Sequence, residues 1–430
     1  MKKTLLLIFV CLYCLAGSVF ASSSTPPEFN VDQETPDFPV NRTVNDEIND
    51  FLAEKGYGEG NNSRSSGGDF FIAVGTGTIQ APRNNPGYLT SRNNAFEKAM
   101  LQAKKKMATF IAGEIKKDLL SEYTEGQNPL ERKAKEAEAM KSPSIFDKAS
   151  ALVNAKLDAL LEEEGVDLSK PVSEEDVQKA LTSEVFESFV QKAATARIVG
   201  MQTMKVFEAS PDGNKGQIGV IAVYSEKLHK MADAMFSGNV ADLPSGTPKR
   251  PIREQISNDE KILLSTFGVQ QKTDEKGNLQ LVAFGQSSPK TDSPRSMDAA
   301  YDKAKLQAEG YLRSFAGEIA AVEEDMYSYE SVQEFENGLE QYESEEYFKQ
   351  KIETKAASLK ISGIMNVSNW KTVHPLVNKP VVGVVVSWSP ASAKMANQLG
   401  KKMATTPKKS PSNNSSGQKK YQSGSSQGGS

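Results

Sequence analysis

The chain has 430 residues, 38% of them hydrophobic and 25% charged, with a formal net charge of −4. That length suits two or three domains. Setting aside Lys2, Lys3 and the six lysines from Lys401 onward leaves a body with 43 basic and 55 acidic residues, net −12, which argues against nucleic acid as a partner.

Residues 1–21 read as a signal peptide. Met1-Lys2-Lys3 is a positive start, Leu5 to Ala16 an apolar run, and Val19-Phe20-Ala21 a cleavage site before Ser22. The run is too short for a membrane anchor and leads into a polar, Pro-rich stretch. The two cysteines, Cys11 and Cys14, both lie in it. Bulky Tyr13 precedes Cys14 and Cys11 sits too early, so both read as apolar filler, with lipidation at Cys14 left open. The exported chain then has no disulfide and depends on ordinary cores. Periplasmic, outer-membrane-associated and secreted destinations all remain open.

Residues 22–68 read as a flexible N-terminal segment, with one short helix near Val44 to Glu54 whose Ile48, Phe51 and Leu52 share a side, and a linker from Asn61 to Gly68. An internal repeat follows. Phe70 to Gly77 and Leu279 to Gln286 are short apolar strands containing Gly75 and Gly285. Each leads through a polar, proline-containing loop to an alanine ladder, Ala95, Ala99 and Ala103 or Ala300, Ala304 and Ala308. Residues at i, i+4 and i+8 share one helix face, and small ones there let a helix sit close to a sheet. Leu101-Gln102-Ala103 recurs as Leu306-Gln307-Ala308, and Ala112-Gly113-Glu114-Ile115 as Ala316-Gly317-Glu318-Ile319. Gly113 and Gly317 cost helix propensity, so they are expected to be packing sites.

The second half repeats as well. Ile198 to Phe207 matches Ile361 to Trp370, and Ile218 to Tyr224 matches Val382 to Trp388, giving a hairpin in each copy. A helix capped by Ser225 or Ser389 closes each unit. The fold class expected is therefore α+β: two tandem βαββα modules with helical inserts and a disordered C-terminal tail. The first module spans 69–240 with a helical insert at 116–183. A linker covers 241–260, and the second module spans 261–400 with an acidic, aromatic insert at 320–350. Within the first insert, Ser144 to Glu164 is an amphipathic helix and Ser173 starts another. That insert either packs on its own domain or serves as a partner helix. The tail 401–430 is basic and too polar to order itself, though it could touch an outer-membrane surface.

Little here suggests catalysis. The two histidines differ in placement, His229 on a helix's polar side and His374 in a hairpin loop, which gives a metal or a nucleophilic device few parts. Glu114 and Glu318 recur in both copies but read as solvated. Glu323-Glu324-Asp325 with Glu330 lacks the spacing of a calcium loop. Gly75-Thr76-Gly77 lacks the third glycine of a phosphate loop.

The strand ending in glycine, the helix with alanine at every fourth position, the glycine-containing hairpin and the terminal helix together resemble two envelope groups. These are the small outer-membrane lipoproteins that include flagellum-associated ring lipoproteins, and exported SIMPL-type proteins. The resemblance covers about a third of the chain. It implies a compact α+β envelope domain that assembles into rings or larger structures without catalytic residues. The chain departs from the lipoproteins in lacking a good lipobox and in carrying two modules with long inserts. The expectation is a non-enzymatic structural or assembly protein of the bacterial envelope, acting on envelope partners or on itself, with no cofactor and no metal. The alternative is a glycan or small-molecule binding module with a cleft between the repeats, lined by Tyr327, Tyr329, Phe335, Trp370 and Trp388.

Overall fold

The computed structural model describes residues 38–39, 41–63, 69–125, 129–139, 145–237, 243, 246–328 and 361–405. Residues 1–21, the aromatic insert from Tyr329 through Phe335 to residue 360, and the tail from residue 406 lie outside them. The fold is α+β, with two four-stranded antiparallel sheets.

In the first module, α1 (Val44–Lys55) precedes β1 (Gly60–Ser63) and β2 (Asp69–Thr78). The long α2 (Tyr88–Thr124) follows, then α3 (Pro129–Ala139), α4 (Ile145–Glu163), α5 (Glu174–Leu181) and α6 (Glu184–Arg197). The hairpin β3 (Gln202–Ala209) and β4 (Gln217–Tyr224) and the closing α7 (Glu226–Ser237) complete it. The range read as a linker contains α8 (Ile252–Gln255), whose Ile252 is buried, and runs into α9 (Glu260–Leu264). The second module then has β5 (Gly268–Thr273), β6 (Leu279–Ser287), α10 (Pro294–Ser328), β7 (Met365–His374), β8 (Lys379–Trp388) and α11 (Pro390–Thr405). The helical backbone of α11 thus continues into the first residues read as tail.

The sheets run β1-β2-β4-β3 and β5-β6-β8-β7. Each gains an edge strand, β1 or β5, that the repeat pattern does not announce. The likeness between the copies extends to register. Gly75 opposes Val220 as Gly285 opposes Val384. The third strands carry a bulge at the same place, Thr203/Lys205 and Asn366/Ser368.

The alanine ladders and strand glycines explain each other. A Cβ on Gly75 would lie 1.8 Å from the Ala99 carbonyl oxygen, and one on Gly285 2.0 Å from that of Ala304. Strand and helix backbones therefore touch at these points, which only glycine against alanine permits. Gly77 plays the same part against Ala95, so the Gly75-Thr76-Gly77 motif is a packing device. Gln102 Oε1 accepts from the Thr76 N–H at 2.6 Å, and Gln307 Oε1 from the Gln286 N–H at 2.8 Å. Both amides satisfy strand donors lying beyond the edge strand's pairing. Gly113 is a different case. It is exposed with nothing near its missing Cβ, so it packs against nothing.

The opposite faces are filled differently in the two copies. In the first, Ile48, Phe51 and Leu52 of α1 cover Phe70, Ile72, Val74, Ile221 and Val223, and Gly219 makes room for Ile48. In the second, the equivalent Gly383 makes room for the indole of Trp370, and α8 and α9 pack on β7. Helix α1 begins with a Thr43–Asp46 capping box. Helices α5 and α6 pack on α2 and α4 packs on α5 and α6, with Leu157, Leu161, Val177 and Phe186 buried among them. The insert therefore packs on its own module, and α6 also touches α10. One hydrophobic core runs through both modules, from Ala73, Phe96 and Val220 to Phe267, Phe284 and Trp388.

Candidate functional site at the module seam

Two features meet where the modules join. The first is a closed polar network. Arg92 sits on the buried stripe of α2, one turn after Tyr88 and one before Ala95 and Phe96. Its Nε donates to the Glu208 carboxylate, its Nη1 to Gln286 Oε1 at 2.9 Å and its Nη2 to the Leu264 carbonyl at 2.8 Å. Its guanidinium lies 4.6 Å from the centre of the Phe267 ring. Tyr88 Oη donates to Glu208 at 3.0 Å. From the second module, His374 Nε2 approaches the same carboxylate at 3.1 Å. The Leu376 N–H donates to His374 Nδ1 at 3.3 Å, which assigns the proton to Nε2. Gln286 Nε2 shares its hydrogens among the carbonyls of Leu263, Leu264 and Thr266.

The electrostatics follow from this geometry. Burial pushes the Glu208 pKa up, but Arg92 and His374 outweigh it and hold the carboxyl at about 2. Burial and the Glu208 charge push the Tyr88 phenol well above its usual range. The side chains of Arg92, Glu208 and His374 are at most 1% exposed. Each guanidinium nitrogen of Arg92 has a partner inside the protein, and the three side chains are closed off from solvent. This network fastens the modules together. Breaking such a pair from one side leaves a buried charge and costs roughly 3–5 kcal/mol.

The second feature is a slot between α2 and α10, with a volume of about 310 Å³. Phe96, Met100 and Leu101 line it from α2 with the polar Glu97 and Lys104, and Gly310, Tyr311 and Phe315 from α10 with Gln307 and Ser314. Met201 and Thr203 at the start of β3, with Gly268 and Val269 at the start of β5, form its floor. Those two edge strands meet at the seam, where the Gln271 N–H donates to Gln202 Oε1. Stacked rings connect slot and network. Phe267, under Arg92, lies 4.9 Å from Phe96, whose ring meets Tyr311 edge-on at 5.7 Å. Two hydroxyls of lining residues, Thr203 Oγ1 and Tyr311 Oη, are buried behind the slot's surface and have no hydrogen-bond partner. Each such group costs about 1–3 kcal/mol while unsatisfied. Burial, then the neighbouring Glu97, drives the Tyr311 phenol well above its usual pKa, so it stays a hydrogen-bond donor.

The expected cleft residues lie elsewhere. Trp370 and Trp388 are 6% and 2% exposed, because they fill the second module's core instead of lining a cleft. Trp388 faces α10 and donates to the Ser362 carbonyl at 3.1 Å. Tyr327 falls on the last turns of the α10 backbone, while Tyr329 and Phe335 lie outside the described residues. His374 is the buried last residue of β7 and not a loop residue. Arg92, Glu208 and Gln286 escaped the sequence reading, although an arginine in line with the alanine ladder is a legible anomaly. Glu114 is exposed, as a solvated position should be. Among the described residues no group of three or more His, Cys, Asp or Glu could hold a metal ion. Among the same residues no helix is long and apolar enough to cross a membrane.

Residues 142–237, from just before α4 to the end of α7, match the family model described as a domain of unknown function, DUF6844. The chain is also similar in structure to a hypothetical protein of Francisella tularensis, solved as a 2.3 Å crystal structure. The TM-score is 0.50 at 20% sequence identity, with 83% of this chain and 96% of that chain covered. That coverage exceeds one module, so the likeness is one of the paired fold. No curated protein matches the chain.

Proposed function

We propose that this chain is a non-enzymatic binding protein of the bacterial cell envelope, whose site is the slot between its two repeats. The observation that carries this reading is the slot's lining: mostly apolar walls from both modules, with Glu97, Lys104, Gln307 and Ser314 as the polar groups among them. Ligand sites combine a largely apolar surface with a few placed polar groups, in volumes of about 300–1,000 Å³. The closed Arg92–Glu208–His374 network supports a fixed scaffold around the slot and offers no reacting group to a substrate. The envelope part of the reading is supported by the leader-like residues 1–21.

Hydrogen exchange tests it. Adding a bacterial envelope extract to the full exported chain should slow exchange over residues 96–104 and 307–315. An unchanged slot, with protection elsewhere or nowhere, would sink the reading.

A second reading, assembly through protein–protein contact, is favoured by Leu306 and Met395, which expose apolar side chains on α10 and α11 at 62% each. A compact monomer that cross-links to no envelope protein in cells would count against it.

A further inference from the structure

The second module carries an uncovered version of the face with which the first module builds the seam. In the first module, Leu101 lines the slot and Gln202 accepts the Gln271 N–H. The closing helix α7, with Met231 fully buried, packs on α10. The repeat sets Leu306, Met365 and Met395 at the same three places. Leu101-Gln102-Ala103 recurs as Leu306-Gln307-Ala308, and Lys230-Met231-Ala232 as Lys394-Met395-Ala396. Gln202 and Met365 each stand just before the bulge of their strand. The seat of the closing helix is kept too. A Cβ on Gly200 would meet the Leu228 carbonyl of α7, and one on Gly363 the Ala393 nitrogen of α11.

Exposure is what differs. Leu306, Met365 and Met395 are 62%, 50% and 62% exposed. Among the described residues five large hydrophobic side chains are exposed, and these three hold places whose counterparts lie at the seam. Exposed apolar groups gathered on one face mark a contact surface, and this face is the kind that a module of the same fold covers.

A second copy of the chain offers the matching flank. Helix α2 turns one side to the slot and the other toward β1, where Phe110, 39% exposed, lies beside Gly60 and meets Phe71 edge-on. Ala112-Gly113-Glu114-Ile115 recurs as Ala316-Gly317-Glu318-Ile319, so Phe110 holds the place of Ser314, a slot residue of α10. The charges fit as well. Met100 and Val269 line the slot from opposite modules. Lys305, just before Leu306, takes the place of Met100. Val269 opposes Ala283, two residues before Gly285. Glu59, one before Gly60, is level with Ala73, two before Gly75, and takes the place of Val269. An apolar pair within the chain thus becomes a pair of opposite charges between copies, which fixes register.

We propose that copies of this chain associate head to tail, the α10–β7–α11 face of one on the α2–β1 flank of the next. The two surfaces differ, so the contact is heterologous and each copy carries one of each. This rests on the assembly reading given above and does not depend on what the slot binds.

Sedimentation of the chain from Ser22 onward tests it. The mass of the parent should rise with concentration past that of a dimer. Leu306→Glu with Met395→Glu blocks one surface and Phe110→Glu the other. Each variant alone should associate at least about tenfold more weakly and run as a monomer with an unlowered melting temperature. Mixed one to one, the two should form dimers and nothing larger, because each retains the surface the other lacks. Lys305→Glu, at an exposed position, should weaken association in the same direction even if a larger change harms folding.

A monomeric parent, a dimer that Phe110→Glu leaves intact, or a mixture that stays monomeric overturns the inference. If the parent is monomeric yet cross-links to a different envelope protein in cells, the second copy is the wrong partner and the assembly reading stands. If it does neither, both fall.

Discussion

At the residue scale, Glu208 carries the largest consequence. Its carboxyl is held at about 2 against an ordinary value of 4.5 because Arg92 and His374 outweigh burial. A carboxylate depressed on folding stabilises the protein above its unfolded pKa, and that stability drains away as pH falls through the folded value. The gap is worth about 3 kcal/mol. Urea unfolding at pH 7, 4 and 2.5 should therefore show stability falling below about pH 4.5. Glu208→Gln should flatten that part of the acid loss. At pH 7 it should cost about 3 kcal/mol, since Arg92 is then buried without its countercharge. A Glu208→Gln protein as stable as the parent at pH 7 would mean that the carboxylate is not holding the seam. None of this was readable locally. Glu208 lies 116 positions from Arg92 and 166 from His374, and only the tertiary fold brings them together. The one local hint was Arg92 itself, a charge in line with alanines that are at most 1% exposed.

At the element scale, the glycines of the two strands and the glycine of the helix should respond in opposite directions. Gly75→Ala and Gly285→Ala place a methyl about 2 Å from a helix carbonyl, with 1.8 Å at Gly75 and 2.0 Å at Gly285. Each should cost about 3 kcal/mol, at the upper end of overpacking. Gly113→Ala meets open space on an exposed helix face and should stabilise by about 1 kcal/mol. Thermal melts of the three variants decide it, and a stable Gly285→Ala protein would refute the close strand–helix approach. These elements show where periodic pattern is informative. The ladder, its glycines and the bulged hairpins repeat because packing geometry at short range constrains them, so they can be read from one chain. The edge strands cannot. β1 is Gly60-Asn61-Asn62-Ser63, polar and half exposed, and it forms because β2 offers it backbone partners. Gly113 misled for a related reason. A glycine shared by two copies suggests a contact, yet the contact in this helix is made by the alanines.

At the scale of the whole molecule, repetition suggests two independent units, and the structure joins them into one. The core passes from Phe96 of α2 to Phe267 and Val269 without interruption. Arg92 and Glu208 of the first module take their remaining partners, Gln286, the Leu264 carbonyl and His374, from the second. Sequence divergence between the copies makes sense in this light. Position 76 is threonine in one copy and its counterpart, 286, is glutamine in the other, because only the second faces Arg92 across the seam. Folding should then be cooperative across the chain, and calorimetry should give one transition whose van't Hoff and calorimetric enthalpies agree. A fragment ending at residue 242 would keep the whole of α2, β3 and their sheet, but it would expose Phe96 and leave Arg92 and Glu208 without their partners across the seam. It should bind 8-anilinonaphthalene-1-sulfonate and melt without a sharp transition, the behaviour of a chain with secondary structure but no fixed packing. A fragment that melted as sharply as the full chain would show that the seam joins two finished domains. The slot would then lie between bodies free to separate, and its fixed width would no longer follow from the fold.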